Sequence, residues 1–312
     1  MPRKSGSVSS KLPCGANTPR KNSGGANSGA ALHPLVDTKT LAERLAEPDW
    51  IIVDCRFRLT QPDAGYSAYQ RGHIPGARYA HLDDDLAADP GPGDGRHPLP
   101  DPERFAMTLG AWGISNSSLV VVYDDASGAI AARLWWLLRW LGHERVAVLD
   151  GGLDAWQADG LPVETTTPTW HAAHYLPATV HDDWVVTSDD LPSLLESGAL
   201  VLDARSAERF RGIEEPIDPV AGHVPGATNL PYTATLTPSG TLLEPERLRD
   251  DLASLLAGRD IADVVAMCGS GVTACHILLA LSAAGLGDGR LYAGSWSEWI
   301  RSGSRPIATG SD

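Results

Sequence analysis

No apolar run in the 312-residue chain reaches the eighteen or so residues that a bilayer-crossing helix needs, which argues against a helical membrane protein. Cysteine is scarce: Cys14, Cys55, Cys268 and Cys275 are scattered, and none forms a CxxC pair. That spacing encodes neither a disulfide framework nor a thiolate zinc site, and it suits a reducing compartment. Positive charge is also in short supply, with 25 Lys and Arg against 39 Asp and Glu and a net charge of −14. The first thirty residues hold Arg3, Lys4, Lys11, Arg20 and Lys21 and no acid, so taking those five charges off leaves −19 on the remainder. An acidic body is a poor partner for phosphodiester backbones or anionic lipid, so neither nucleic acid nor membrane is expected as a partner. Residues 1–32 lack the apolar stretch of a secretory signal, and their Gly, Ser and Pro content reads as a disordered tail on a cytoplasmic protein.

What the chain does have is its own second copy. IIVDCR at 51–56 returns as LVLDAR at 200–205, and GHIPGA at 72–77 as GHVPGA at 222–227. LVVVYDD at 119–125 answers ADVVAMCGS at 262–270, and LDGGLDAW at 149–156 answers LYAGSWSEW at 291–299. Four landmarks in one order at near-constant offset mark a duplication. In each copy short β-branched runs alternate with amphipathic stretches. TKTLAERLAE, DPERFAMTLGAWG and AIAARLWWLLRWLG read as helices, with WIIVD, LVVVY and RVAVLD as strands between and after them. The second copy repeats this with LPSLLESG, EPERLRDDLASLLA and VTACHILLALSAAG around ALVLD, ADVVAM and GRLYA. Buried five-residue strands separated by helices specify an α/β fold, with each copy a parallel sheet flanked by helices. The expected layout is a first domain over 33–165, a connection over 166–178 and a second domain over 179–312.

Reactive groups in such sheets collect where a strand ends and its loop turns into a helix. In the second copy that place reads Cys268-Gly269-Ser270-Gly271-Val272-Thr273-Ala274, with the helix expected to begin near Val272. Two glycines let successive N–H groups curl inward, and the helix N-terminus adds positive potential, a setting that stabilises a thiolate or an anionic sulfur attached to it. Ser270 and Thr273 add hydroxyl donors. The matching position in the first copy is Asp124, so one half alone carries the thiol.

These motifs together, CGSGVTAC, GHIPGA with GHVPGA, LDGGLDAW and GSWSEW, resemble the two-domain rhodanese family of sulfurtransferases from about residue 33 to 305. The resemblance implies tandem rhodanese-like domains, the first inactive and the second catalytic through a Cys268 persulfide, with no cofactor and no metal. It implies a small-molecule sulfur donor, 3-mercaptopyruvate or thiosulfate, and cyanide or a thiol such as thioredoxin as acceptor. The neutral loop is similar to that of 3-mercaptopyruvate sulfurtransferases. Arg209 matches one arginine that binds the donor carboxylate in the family, but Asp218 stands where a second is expected, and Arg211 is the nearest substitute. A proton relay would map onto Ser270 with Asp83 behind it, and His97 matches a first-domain histidine facing the cleft. Gly269, Gly271, Val272 and Thr273 complete the expected donor contacts.

Other reactive-looking residues read as structure. Cys275 and Cys55 are expected in the core, His73 and His223 on backbone groups of their turns, and Trp135, Trp136 and Trp140 in a domain core or interface. Trp296 and Trp299 could pack or could wall the pocket. Cysteine phosphatase chemistry needs an arginine six positions after the thiol, and Ala274 stands there. A carrier that holds a persulfide without turnover uses the same loop and stays open as the alternative.

Overall fold

The computed structural model describes residues 1, 2 and 33–310, so the expected tail lies almost wholly outside the described residues. Each copy builds a five-stranded parallel sheet. The first comprises β1 (Leu35–Val36), β2 (Trp50–Asp54), β3 (Arg78–Tyr79), β4 (Leu119–Tyr123) and β5 (Val146–Leu149) in the order β1-β5-β4-β2-β3. The second comprises β6 (Val185–Val186), β7 (Leu200–Asp203), β8 (Thr228–Asn229), β9 (Val264–Met267) and β10 (Arg290–Tyr292) in the order β6-β10-β9-β7-β8. The α/β expectation holds. β4 and β9 are buried at every residue, which explains why they read as unbroken apolar runs without alternation. The two-residue edge strands carry too little pattern to be legible in sequence.

The GHxPGA turns are tied to the ends of β2 and β7. Asp54 and Arg56 form a buried ion pair at 2.6 Å, and the same guanidinium donates to the Gly72 carbonyl at 2.7 Å. Asp203 and Arg205 repeat the arrangement at 2.6 Å, with Arg205 donating to Gly222 at 2.8 Å. His73 and His223 place Nδ1 at 2.8 and 2.7 Å from the Tyr69 and Phe210 carbonyls. Their role is therefore backbone hydrogen bonding, as expected.

The helices after β4 and β9, Ala131–Trp140 and Ala274–Ala283, are apolar nearly all round and pack against each other across the two copies. A helix with no polar face has to be covered on every side, and here each covers the other. Trp135, Trp136 and Trp140 are accordingly buried in a core that runs through both halves. The helix after Cys268 starts at Ala274, two residues later than expected, because Gly271 turns with φ at +76°. A side chain there would also strike the Ala293 carbonyl, so only glycine fits the turn. Residues 166–178 hold no helix or strand and lie along the first copy, with Ala173 N donating to Gly110 O at 2.8 Å and Trp170 Nε1 to Ala111 O at 2.8 Å.

His276, in the second of these helices, reaches back to the first copy, where its Nε2–H donates to the Ser127 carbonyl at 3.1 Å. Burial pushes its pKa down to about 4. An unfolded histidine titrates near 6.5, so between pH 6.5 and 4 the unfolded chain binds a proton that the folded chain refuses. The stability tied to neutral His276 is present above pH 6.5 and lost as pH falls toward 4. Denaturant unfolding at pH 7 and pH 5 should show that loss, and His276→Gln should make it smaller by roughly 2 kcal/mol. An unchanged difference would mean that the ring does not control acid sensitivity.

Candidate active site

Asp124 and Cys268 are the first residues beyond β4 and β9, at the same corner of the two sheets. In the first copy the Asp124 carboxylate accepts four backbone N–H groups, from Ala126 and Gly128 on Oδ1 and from Ile130 and Ala131 on Oδ2, each at 2.8 Å. The curled amides form an anion nest, and the side chain fills it. The second loop turns its carbonyls outward. Cys268 O accepts from Trp296 N at 3.0 Å, Gly269 O from Ser297 N at 2.9 Å, and Gly271 O from Arg133 Nη1 at 3.2 Å and Cys275 Sγ at 3.3 Å. Cys268 N itself donates to Ser295 Oγ at 3.0 Å. Among the described residues the amides of 269–273 have no protein acceptor, and none reaches the Cys268 sulfur. The carboxylate oxygens of Asp124 lie two bonds beyond Cβ, one atom further out than the sulfur of a cysteine.

Cys268 is 2% exposed and lines a cavity of about 150 Å³ together with Gly269, Ser270, Val272, Thr273 and Arg209 from its own copy and Phe57, Leu82, Arg96 and His97 from the first. The cleft between the copies is thus where Cys268, Ser270, His97 and Arg209 meet. Gly271 stays behind it as the turn. Ser270 Oγ lies 2.7 Å from His97 Nδ1, and His97 Nε2 lies 3.1 Å from Asp83 Oδ1. An ionised carboxylate only accepts, so Nε2 carries the ring proton and Nδ1 accepts from the Ser270 hydroxyl. Burial pushes the His97 pKa down, against the opposing pull of Asp83. The hydrogen bond from His97 holds the Asp83 carboxyl below its ordinary range. Ser270, His97 and Asp83 therefore form a chain from the cysteine loop to the half-exposed surface of the first copy, with Asp83 on the short helix Leu82–Asp85.

Two arginines stand at the loop. Arg209, on the helix Ala207–Phe210, pairs its Nε with Glu215 at 2.9 Å and its Nη2 with Asp218 at 3.1 Å. Burial opposes ionisation of Glu215, but the hydrogen bond and charge of Arg209 together with the backbone N–H groups of Asp218 and Ile217 outweigh it, and the carboxyl stays below its usual range. Arg96 pairs its Nη1 with the other oxygen of Asp218. A methyl group placed on Gly269 would lie 2.9 Å from Arg96 Nη2 and 3.5 and 3.7 Å from Arg209 Nη2 and Nη1. Arg211 is not a substitute: its Nε donates to the Ala207 carbonyl at 3.1 Å, its side chain is 40% exposed, and it lies off the cavity lining. It sits two residues along the chain from Arg209 and so turns away from the face that carries Arg209.

Arg133, which sequence reasoning passed over as one more helix residue, is fully buried without a carboxylate partner. It donates instead to the carbonyls of Leu86, His97, Pro98 and Gly271 at 3.1 to 3.4 Å. A first-copy side chain thereby binds the cysteine loop to the segment carrying Arg96 and His97. Gly95 completes that seam, since a Cβ there would lie 2.4 Å from the Gly294 carbonyl.

A Rhodanese-like domain model matches residues 37–159 and 187–302. The chain belongs to the rhodanese family. A Pseudomonas aeruginosa protein named as a probable 3-mercaptopyruvate sulfurtransferase is 49% identical over 278 residues, 88% of this rhodanese and 98% of its own length. A Mycobacterium tuberculosis relative, named provisionally as a thiosulfate sulfurtransferase, is 41% identical over 283 residues, 88% and 97% of the two chains. The solved structure of 3-mercaptopyruvate sulfurtransferase from Leishmania major is 35% identical with a TM-score of 0.77, covering 87% of this chain and 76% of that one. Relatives thus carry the names of both donors. Within this rhodanese, Cys275 and Cys55 are core residues, their thiols pushed up by burial, Cys275 to about 12. Trp296 and Trp299 belong to the core as well, with their indole N–H groups on the Val220 and Pro306 carbonyls at 2.9 Å. They do not wall the pocket.

The saturated and unsaturated nests should respond differently to truncation. Asp124→Ala strands four buried donors and should lower the unfolding free energy by about 3 kcal/mol or more, whereas Cys268→Ala should cost under about 1 kcal/mol. Denaturant titration of both variants checks this, and equal losses would contradict the anion-nest description of the first copy.

Proposed function

We propose that this sulfurtransferase takes a sulfur atom from 3-mercaptopyruvate onto Cys268 and passes it to a thiol acceptor such as thioredoxin, or to cyanide. The observation that carries this reading is the pair of nests. One is occupied by a carboxylate two bonds beyond Cβ, and the other leaves the amides of 269–273 without a protein acceptor beside a cysteine whose persulfide carries its charged outer sulfur the same two bonds beyond Cβ. The first copy, its nest closed by Asp124, has no thiol at the position matching Cys268 and serves as a wall of the site.

In the first half-reaction the Cys268 thiolate attacks the donor's sulfur. The new S–S bond forms as the C–S bond breaks, and the electron pair of that bond leaves on the methylene carbon as the enolate of pyruvate. The proton released from the donor thiol ends on that carbon, so pyruvate departs and the persulfide anion remains. Ser270 relays that proton: its hydroxyl passes a proton to neutral His97 Nδ1 as it takes the thiol proton, and the imidazolium, held by Asp83, returns it through Ser270 to the carbon. Arg209 binds the donor carboxylate. The loop amides stabilise the anionic outer sulfur without reorganising. An acceptor thiolate then attacks the outer sulfur and Cys268 leaves as thiolate. A cytoplasmic setting fits the three described cysteines, all free.

The protein incubated with 3-mercaptopyruvate should release pyruvate and gain 32 Da on Cys268, and Cys268→Ser should abolish both. An adduct that forms but never passes to cyanide or a thiol would favour a persulfide carrier over an enzyme. Thiosulfate releases sulfite, which needs no carbon protonation. His97→Ala should therefore lower kcat/KM for 3-mercaptopyruvate by about a hundredfold or more while costing thiosulfate far less. Because burial depresses the His97 pKa, the acid limb of the 3-mercaptopyruvate profile should fall below pH 6.5. A limb above pH 6.5, or equal losses with both donors, would remove His97 from the relay.

A further inference from the structure

Resting on that reading, we propose that Arg96, from the first copy, is the second cation that grips the donor carboxylate, and that Asp218 serves to position it. The site that reads the donor is then assembled across both halves of the chain.

A guanidinium has five N–H groups and cannot lose its charge at working pH. Glu215 and Asp218 occupy Nε and Nη2 of Arg209, and Asp218 occupies Nη1 of Arg96. Among the described residues Arg209 Nη1 and Arg96 Nη2 have no acceptor, and both face Gly269, next to Cys268. Arg96 Nε is likewise buried without a partner. The carboxylates hold the back edges of the two guanidiniums and leave adjacent free edges at the lip of the cavity. Paired free edges of that kind suit a carboxylate that takes one oxygen from each cation.

The approach of Arg96 is built in. Its backbone N–H donates to Ser297 Oγ at 3.0 Å, the preceding Gly95 rests on Gly294, and the following His97 is fixed by Ser270 and Asp83. Asp218 sits nine residues after Arg209, where an arginine is expected from the resemblance. Its carboxylate bridges the two guanidiniums. The cation absent from position 218 is thus present at position 96, with an anion in its place to hold it.

The experiment compares 3-mercaptopyruvate with its methyl ester, which keeps the keto group and thiol but has no carboxylate. Single-turnover labelling of the wild type with 3-mercaptopyruvate comes first. Absence of the 32 Da adduct there would defeat the parent reading and this proposal together, before any variant is compared. With the adduct formed, Arg96→Gln should lower kcat/KM for the acid by about tenfold to a hundredfold, mostly through KM, the worth of one charge-assisted hydrogen bond. The ester should change by no more than about twofold. Arg96→Asp should be worse than Arg96→Gln toward the acid, and adding Asp218→Arg should recover at least about tenfold by returning the guanidinium from the other side. Equal losses for acid and ester in Arg96→Gln would show that Arg96 merely shapes the loop and would overturn the proposal. So would an unchanged rate with the acid, or a double variant no better than Arg96→Asp.

Discussion

A backbone that curls its amides inward at the end of a central strand must find a negative charge for them, and the two halves of this chain meet that demand in different ways. Asp124 supplies a permanent carboxylate, bonded to four N–H groups. Cys268 supplies a charge only when its sulfur is ionised or carries a second sulfur. The same loop is therefore structural in one copy and chemical in the other. The strands and the helices behind them are shared, but the loops are not identical: Asp124 leads to a helix at Ala131 through Ser127 and Gly128, both at positive φ, and Cys268 to a helix at Ala274 through Gly271 alone at positive φ.

The first half is not idle for lacking the thiol. It sends Arg96 and His97 to the cleft, with Asp83 behind His97, and locks the cysteine loop from behind with Arg133, whose charge is spread over four carbonyls and meets no carboxylate among the described residues. Burying an uncompensated guanidinium is costly. That cost is met by hydrogen bonds reaching both copies, so the cation holds the seam together as it holds the loop. His276 makes the reverse connection, from the second copy to Ser127 of the first. These contacts give the relay residues and the cysteine a common frame.

Much of this was legible in the sequence, because it rests on short-range signals. The duplication, the buried strands and the glycine loop after β9 each leave a local pattern, and Cys268 with its loop follows from residue type and motif, whereas Asp83, His97 and Arg209 are candidates only through the family resemblance. What was not legible depends on contacts between residues far apart in the chain. Arg96 is an ordinary charged residue until its loop is laid over Gly269, about 170 positions away, and nothing near Asp218 announces that its partner lies in the other half. Arg133 sits in an apolar helix whose packing alone reveals that it is buried. Arg211 looked like a candidate because it is close to Arg209 in the chain, but two residues along a helix is close to the opposite face.

The close stacking of Gly95 on Gly294 bears on how such a molecule could arise. A lone copy of this fold would own the sulfur but not the opposite bank of its cleft, and would have to collide with a second polypeptide to obtain one. Joining the two in one chain makes that meeting intramolecular, at an effective concentration that free subunits would have to be abundant to match. Tandem fusion converts a transient encounter into permanent architecture, with both banks of the cleft carried on one polypeptide.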